Sequence, residues 1–94
     1  IAASFKILNR IVFFTVGSDE VKAWSIRAGT QALEAAGSVH SDIQQGFIRA
    51  EVIAFQELKA QGSFKAAKSA GLVRLEGKTY EVQDGDIINF RFNI

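Results

Sequence analysis

The chain has 94 residues, 48% of them hydrophobic, and carries a net charge of +1 at neutral pH. That length holds one core and excludes a second domain of ordinary size, so a nucleotide-hydrolysing fold would not fit beside it. The absence of cysteine excludes disulfide scaffolds and thiolate zinc sites, no apolar run approaches a membrane span, and a nearly neutral chain points to nucleic acid only where charge clusters locally.

Ile1, Phe5 and Leu8 recur at helical spacing ahead of Asn9, which predicts the end of a helix over residues 1–8. Because the chain opens here without an initiator methionine, it is expected to be part of something longer, with residues 1–10 closing a preceding region and residues 11–94 forming one domain. Ile11 to Val16 is a β-branched and aromatic run, and Gly17-Ser18-Asp19-Glu20 supplies turn residues before a return strand. In that strand Lys22, Trp24 and Ile26 share one face, with Trp24 and Ile26 as core contacts, and Ala23, Ser25 and Arg27 share the other. Thr30 is placed to cap a helix over Gln31 to Ala36, with Gly37 stopping it in a left-handed conformation.

The stretch Gly46 to Phe55 alternates as a half-buried strand, Ile48, Ala50, Val52 and Ala54 pointing inward and Arg49 and Glu51 outward. A strand of that kind predicts a sheet covered on one side only. Residues 56–61 and 63–70 have helical composition broken at Gly62 and Gly71, and Phe55, Leu58, Phe64 and Ala67 are expected to pin them down. Leu75 to Thr79 reads as a tight turn, Tyr80 and Val82 alternate after it, and Gln83-Asp84-Gly85-Asp86 is a second turn with Gly85 suited to positive φ. Ile87 to Asn93 closes the chain with Ile88, Phe90 and Phe92 inward and Asn89, Arg91 and Asn93 outward. These elements predict an α+β domain.

Hairpin, helix, strand, irregular excursion and final strand is the element order of the β-grasp fold, a fold-level analogy. The run Phe47-Ile48-Arg49-Ala50-Glu51-Val52, preceded by His40-Ser41-Asp42 and followed by Leu75-Glu76-Gly77-Lys78 and Asp84-Gly85-Asp86, resembles the C-terminal TGS domain of the YchF group of Obg-like P-loop NTPases. Asp19 to Trp24 and Asn89 to Asn93 extend the resemblance over nearly the whole chain. It implies a TGS domain over residues 11–94: a β-grasp (ubiquitin-like) mixed sheet packed on one helix, with a short helical insertion and a truncated N-terminal helix. It further implies a ribosome-associated parent that hydrolyses ATP or GTP with magnesium, and the composition, without cysteine or an apolar span, reads as cytoplasmic by default. The group's P-loop, magnesium ligands and nucleotide-specificity motif have no counterpart here, so this chain is expected to bind no cofactor and to hydrolyse nothing. Two positions depart from the group: Leu33 stands where a proline is expected, and Gln45 where a basic residue is expected, which removes a positive charge from the loop before the strand.

His40 and Asp42 read as a capping or turn-fixing pair; as a metal or general-base pair they fall short of the three protein ligands of a catalytic zinc site and have no nucleophile signalled nearby. Asp84-Gly85-Asp86 lacks the further ligands of a calcium loop. Charge is more informative by region, since Lys59, Lys65, Lys68, Arg74 and Lys78 oppose only Glu76 between residues 59 and 78. Arg27, Arg49 and Arg91, with Ser25, Thr15, Asn89 and Asn93 beside them, are predicted to project from the open sheet face. These residues and His40 are the candidate contacts for RNA or a protein partner. Trp24, Phe90 and Phe92 all read as core, which leaves no stacking platform for sequence-specific recognition. The first reading is a non-catalytic module that contacts ribosome or RNA through backbone electrostatics, with no membrane partner. The second is an interaction domain for the parent's own NTPase domain or other proteins, without RNA; a stand-alone enzyme built on His40 and Asp42 is the third.

Overall fold

The computed structural model describes residues 9–16 and 21–93. The helix expected over residues 1–8 and the turn expected at residues 17–20 lie outside the described residues. Strands β1 (Arg10–Val16) and β2 (Val21–Arg27) pair antiparallel with Phe13 opposite Trp24. Strand β3 (Phe47–Ala54) pairs antiparallel with both β4 (Arg74–Glu76) and β5 (Asp86–Phe92). Parallel pairing of β1 with β5, Phe14 beside Ile87, joins the two halves into a mixed sheet of order β2-β1-β5-β3-β4 among the described residues. This is the expected α+β, β-grasp-like arrangement.

Side-chain alternation sorts the sheet into two faces. On the first, Phe13, Ile26, Ala50, Val52, Ile88 and Phe90 are buried beneath helix α1 (Ala32–Val39), whose Ala32, Ala35 and Ala36 let the helix axis sit close to the strands. Thr30, expected to cap this helix, instead donates its hydroxyl to the Arg27 carbonyl at 2.7 Å and closes the turn after β2. The capping comes from remote backbone: the Ala32 and Leu33 amides donate to the carbonyls of Tyr80 and Lys78 at 2.7 and 3.1 Å, satisfying two donors that a helix start would otherwise leave unpaired. Nor does Gly37 stop the helix, which runs on to Val39. A Cβ at Gly37 would lie 2.7 Å from the Gln44 side chain of helix α2 (Ser41–Gln45), so this glycine admits a neighbour.

The second face departs most from expectation. Helices α3 (Phe55–Gln61) and α4 (Phe64–Ser69) fold over it and build a second core from Ile53, Ala67 and Ile87, flanked by Phe14, Val16, Leu58, Phe64, Leu72 and Val73. The sheet is therefore covered on both sides near its middle, while this face stays open toward β2 and at the ends of β3 and β5 that carry the exposed Arg49 and Arg91. Gly62 ends α3 in the left-handed region at φ 85°, and the Ser63 hydroxyl accepts the Ala66 amide at 3.1 Å to start α4. Phe55 does not pin the excursion; it is 53% exposed.

Three strand details also correct the sequence reading. The register of β3 against β5 slips between Phe47 and Arg49, so Ile48 is an extra residue in a β-bulge and is 53% exposed, while Phe47 takes the inward place. Ala54 is exposed at the strand end as well. Leu75 and Glu76, read as the start of a turn, belong to the short edge strand Arg74–Glu76, and the turn proper follows it, closed by the Tyr80 amide on the Gly77 carbonyl at 3.2 Å. Phe92 is on the core-facing side, but at the end of β5 it is 43% exposed.

Candidate nucleic-acid interface

Glu51 is the organising residue of the second face. Strand β3 carries it between Ala50 and Val52, and the excursion that packs on Ile53 also roofs Glu51, which is 1% exposed. Its two oxygens are matched separately: Lys68 Nζ of α4 donates to Oε2 at 3.0 Å, and Asn89 Nδ2 of β5 donates to Oε1 at 2.9 Å. Burial pushes the Glu51 carboxyl up, but the hydrogen bonds from Asn89 and Lys68 and the charges of Lys68 and Arg91 outweigh it and hold the group below the ordinary carboxylate value. A cleft of about 350 Å³ opens above this carboxylate, walled by Lys65, Lys68, Arg91, Asn89 and Phe64. Arg49 lies directly across from Arg91 on the neighbouring strand and shares its face. Like charges so placed repel, and both side chains are exposed.

The other sequence-nominated residues divide around the molecule. Arg27 shares the open face, yet Arg10, which pairs with it, lies four residues before Phe14 and Arg91 lies four after Ile87; the separation along the strands is roughly 26 Å. Thr15, expected beside these arginines, is on the opposite face and accepts the Trp24 indole N–H at 2.9 Å. Arg74 is also on that opposite face: its guanidinium is 5.6 Å from the Tyr80 ring centre and 3.8 Å from the buried Asp86 carboxylate. Tyr80 donates its hydroxyl to Asp86 at 2.5 Å, and burial together with this bond pushes the phenol up to about 12. Lys59 sits in the last turn of α3 and Lys78 in the turn after β4, both exposed. The basic excess of residues 59–78 is thus not one patch: Lys65 and Lys68 line one cleft together with Arg91, with Arg49 beside it, whereas Arg74 lies on the opposite face.

His40 is the N-cap of α2, its Nδ1 accepting the Asp42 amide at 3.0 Å. A nitrogen that accepts this bond carries no proton, so the 3.8 Å approach of the Asp42 carboxylate is not proton sharing. Among the described residues no group of three His, Cys, Asp or Glu side chains converges. The glycines at positive φ, Gly29, Gly62, Gly71 and Gly85, sit singly in turns and at helix ends and form no loop that could cradle phosphates.

Sequence reasoning missed two features. Glu51 was read as an outward charge, although four apolar residues surround it in β3, a pattern that fits a strand buried on both faces. The exposed Phe92 joins Trp24 and Phe90 along a second cleft of about 540 Å³ on the first face, with Val39, Ile43 and His40 at its wall.

A family model of YchF GTPase C-terminal regions, described as a protein of unknown function (DUF933), matches residues 10–93. The chain is 53% identical over 94 residues to the ribosome-binding ATPase YchF of Bacillus subtilis, covering 100% of this chain and 26% of that protein. It is 52% identical over 93 residues to human Obg-like ATPase 1, covering 99% of this chain and 24% of the relative. The solved YchF GTPase of Schizosaccharomyces pombe superposes with a TM-score of 0.83 at 37% identity, over 96% of this chain and 24% of that one. The chain therefore spans about a quarter of the length of the relatives it matches.

Proposed function

Because the chain belongs to the family of YchF GTPase C-terminal domains, we propose that it is the non-catalytic binding module of a ribosome-associated, cytoplasmic ATPase or GTPase. In this reading nucleotide and magnesium belong to the parent's NTPase domain, which agrees with the lack of a ligand cluster and of a glycine-rich phosphate loop among the described residues. Calorimetry with ATP or GTP is expected to show no micromolar site here, and one that did appear would overturn the assignment.

The module contacts RNA backbone phosphates without reading sequence. The observation that carries this reading is the convergence of Lys65, Lys68 and Arg91 on one cleft, with Arg49 set against Arg91. Exposed like charges at one place hold an anion better than the same charges scattered, and phosphate contacts carry no sequence information. A family relative named as ribosome-binding is consistent with it.

Four contacts to single-stranded RNA should give a log–log slope of affinity against salt of about −3. Replacing Arg49 and Lys65 by glutamine is expected to flatten the slope toward about −1.5 and to weaken every sequence alike. Reversing Lys68 would be a poor test, since a carboxylate there would face Glu51. RNA affinity unchanged in the double variant would favour the second reading, a surface for proteins or for the parent's NTPase domain. The exposed Phe92 beside Trp24, Val39 and Ile43 is the observation in its favour.

A further inference from the structure

A surface lysine is ordinarily a poor element of a binding site, because immobilising its four-carbon stem costs rotamer entropy each time a ligand arrives. Lys68 has met that cost in folding: its ammonium is already held at 3.0 Å by a carboxylate that is 1% exposed and oriented from behind by Asn89. An ammonium has three donors. One is engaged by Glu51, and the half-exposed side chain keeps the others available at the wall of the cleft it shares with Lys65 and Arg91. The cross-strand arginine pair adds to the positive charge at the same place: Arg49 and Arg91 are register partners on β3 and β5, both exposed, and Arg91 lines the cleft, so an anion bound there would relieve the repulsion of like charges across the strands.

We propose that Lys65, Lys68 and Arg91 form a subsite for a single phosphate group of an RNA backbone, with the buried Glu51 as the positioning residue that presents Lys68 to it. The inference rests on the RNA reading above and adds to it a defined place and an internal acid with a role. That role makes a prediction opposite to simple electrostatics. Glu51→Gln removes a negative charge beneath the cleft, so field strength alone would tighten anion binding. Loss of the anchor that orients Lys68 weakens it.

The test measures binding of fluorescent single-stranded oligouridylate to the 94-residue chain at low salt, with thermal melts to verify folding of each variant. Glu51→Gln is expected to bind roughly three- to tenfold more weakly. Lys65→Gln and Arg91→Gln should weaken binding comparably, whereas Arg10→Gln, which removes the same charge at the far end of the face, should not. Inorganic phosphate should displace the oligonucleotide better than chloride at equal ionic strength. Equal or tighter binding by a folded Glu51→Gln overturns the subsite and leaves the RNA reading standing. Should that variant fail to fold, losses at Lys65 and Arg91 no larger than at Arg10 overturn it instead. If oligouridylate does not bind the wild-type chain while phosphate still perturbs the Lys68 and Arg91 resonances, the site takes free phosphate and the RNA reading falls.

Discussion

Phe90→Ala is expected to remove about 3–5 kcal/mol of stability, against a total of about 5–15 for a domain of ordinary stability. Phe90 is 7% exposed on the central strand β5. Its ring meets Phe13 edge-on at 6.1 Å and 89°, and Phe47 at 6.1 Å and 59°. Truncation therefore opens a cavity lined by two aromatic rings that belong to different strands and cannot collapse into it together. Arg49→Ala on the adjacent strand is the contrast. It removes an exposed side chain and one member of a like-charge pair, so its effect should stay within about 0.5 kcal/mol of zero. Urea melts of the two variants decide the matter, and a larger loss at Arg49 would mean that β3 is out of register by one residue.

Lys68→Met should be the next most costly change, at about 1–3 kcal/mol near neutral pH. Methionine preserves the apolar stem but leaves the Glu51 carboxylate buried with Asn89 as its remaining hydrogen-bond partner. The low end of the range reflects the exposure of Lys68, where water screens the pair and takes over part of its role. A second substitution, Glu51→Gln, should recover part of the loss, because deleting both charges is less damaging than stranding one.

The pH dependence has a definite sign. In the wild type the Glu51 carboxyl is held below its ordinary value, so its stabilising contribution is complete above the unfolded value of about 4.3 and is lost as pH falls through the lower folded value. Without Lys68 the burial effect is opposed only by Asn89 and Arg91, and protonation relieves the stranded charge. The deficit of Lys68→Met relative to wild type should therefore be smaller near pH 4 than near pH 7. A deficit that widens on acidification would mean that Glu51 is not the group stranded by the substitution.

Local chemistry made much of the chain legible. A β-branched and aromatic run placed β1, alternation placed β2 and β5, and the glycines at 62, 71 and 85 fall in the left-handed region where turns and helix ends were expected. His40 caps a helix through its side chain, as a polar residue at that point should. Each of these is decided by a residue and its immediate neighbours, through side-chain direction, steric freedom or a hydrogen bond of short reach. The same sequence also carried the family resemblance, in motifs spread from Asp19 to Asn93.

What only the tertiary structure decided is which surface each charge occupies. Alternation states that Glu51 and Arg49 share a side of β3, but not that residues 55–70 fold over one of them and leave the other in water. That depends on Ala67 and Leu58 finding Ile53 and Ile87, and on hydrogen bonds that join Glu51 to residues 17 and 38 positions away. The Ile48 bulge likewise reflects the fit of Phe47 beside Phe90, and the remote carbonyls of Lys78 and Tyr80 replaced the cap expected from Thr30. Burial is a property of how distant segments meet, so a carboxylate two residues from an arginine in one strand has no fixed partner until the chain has packed.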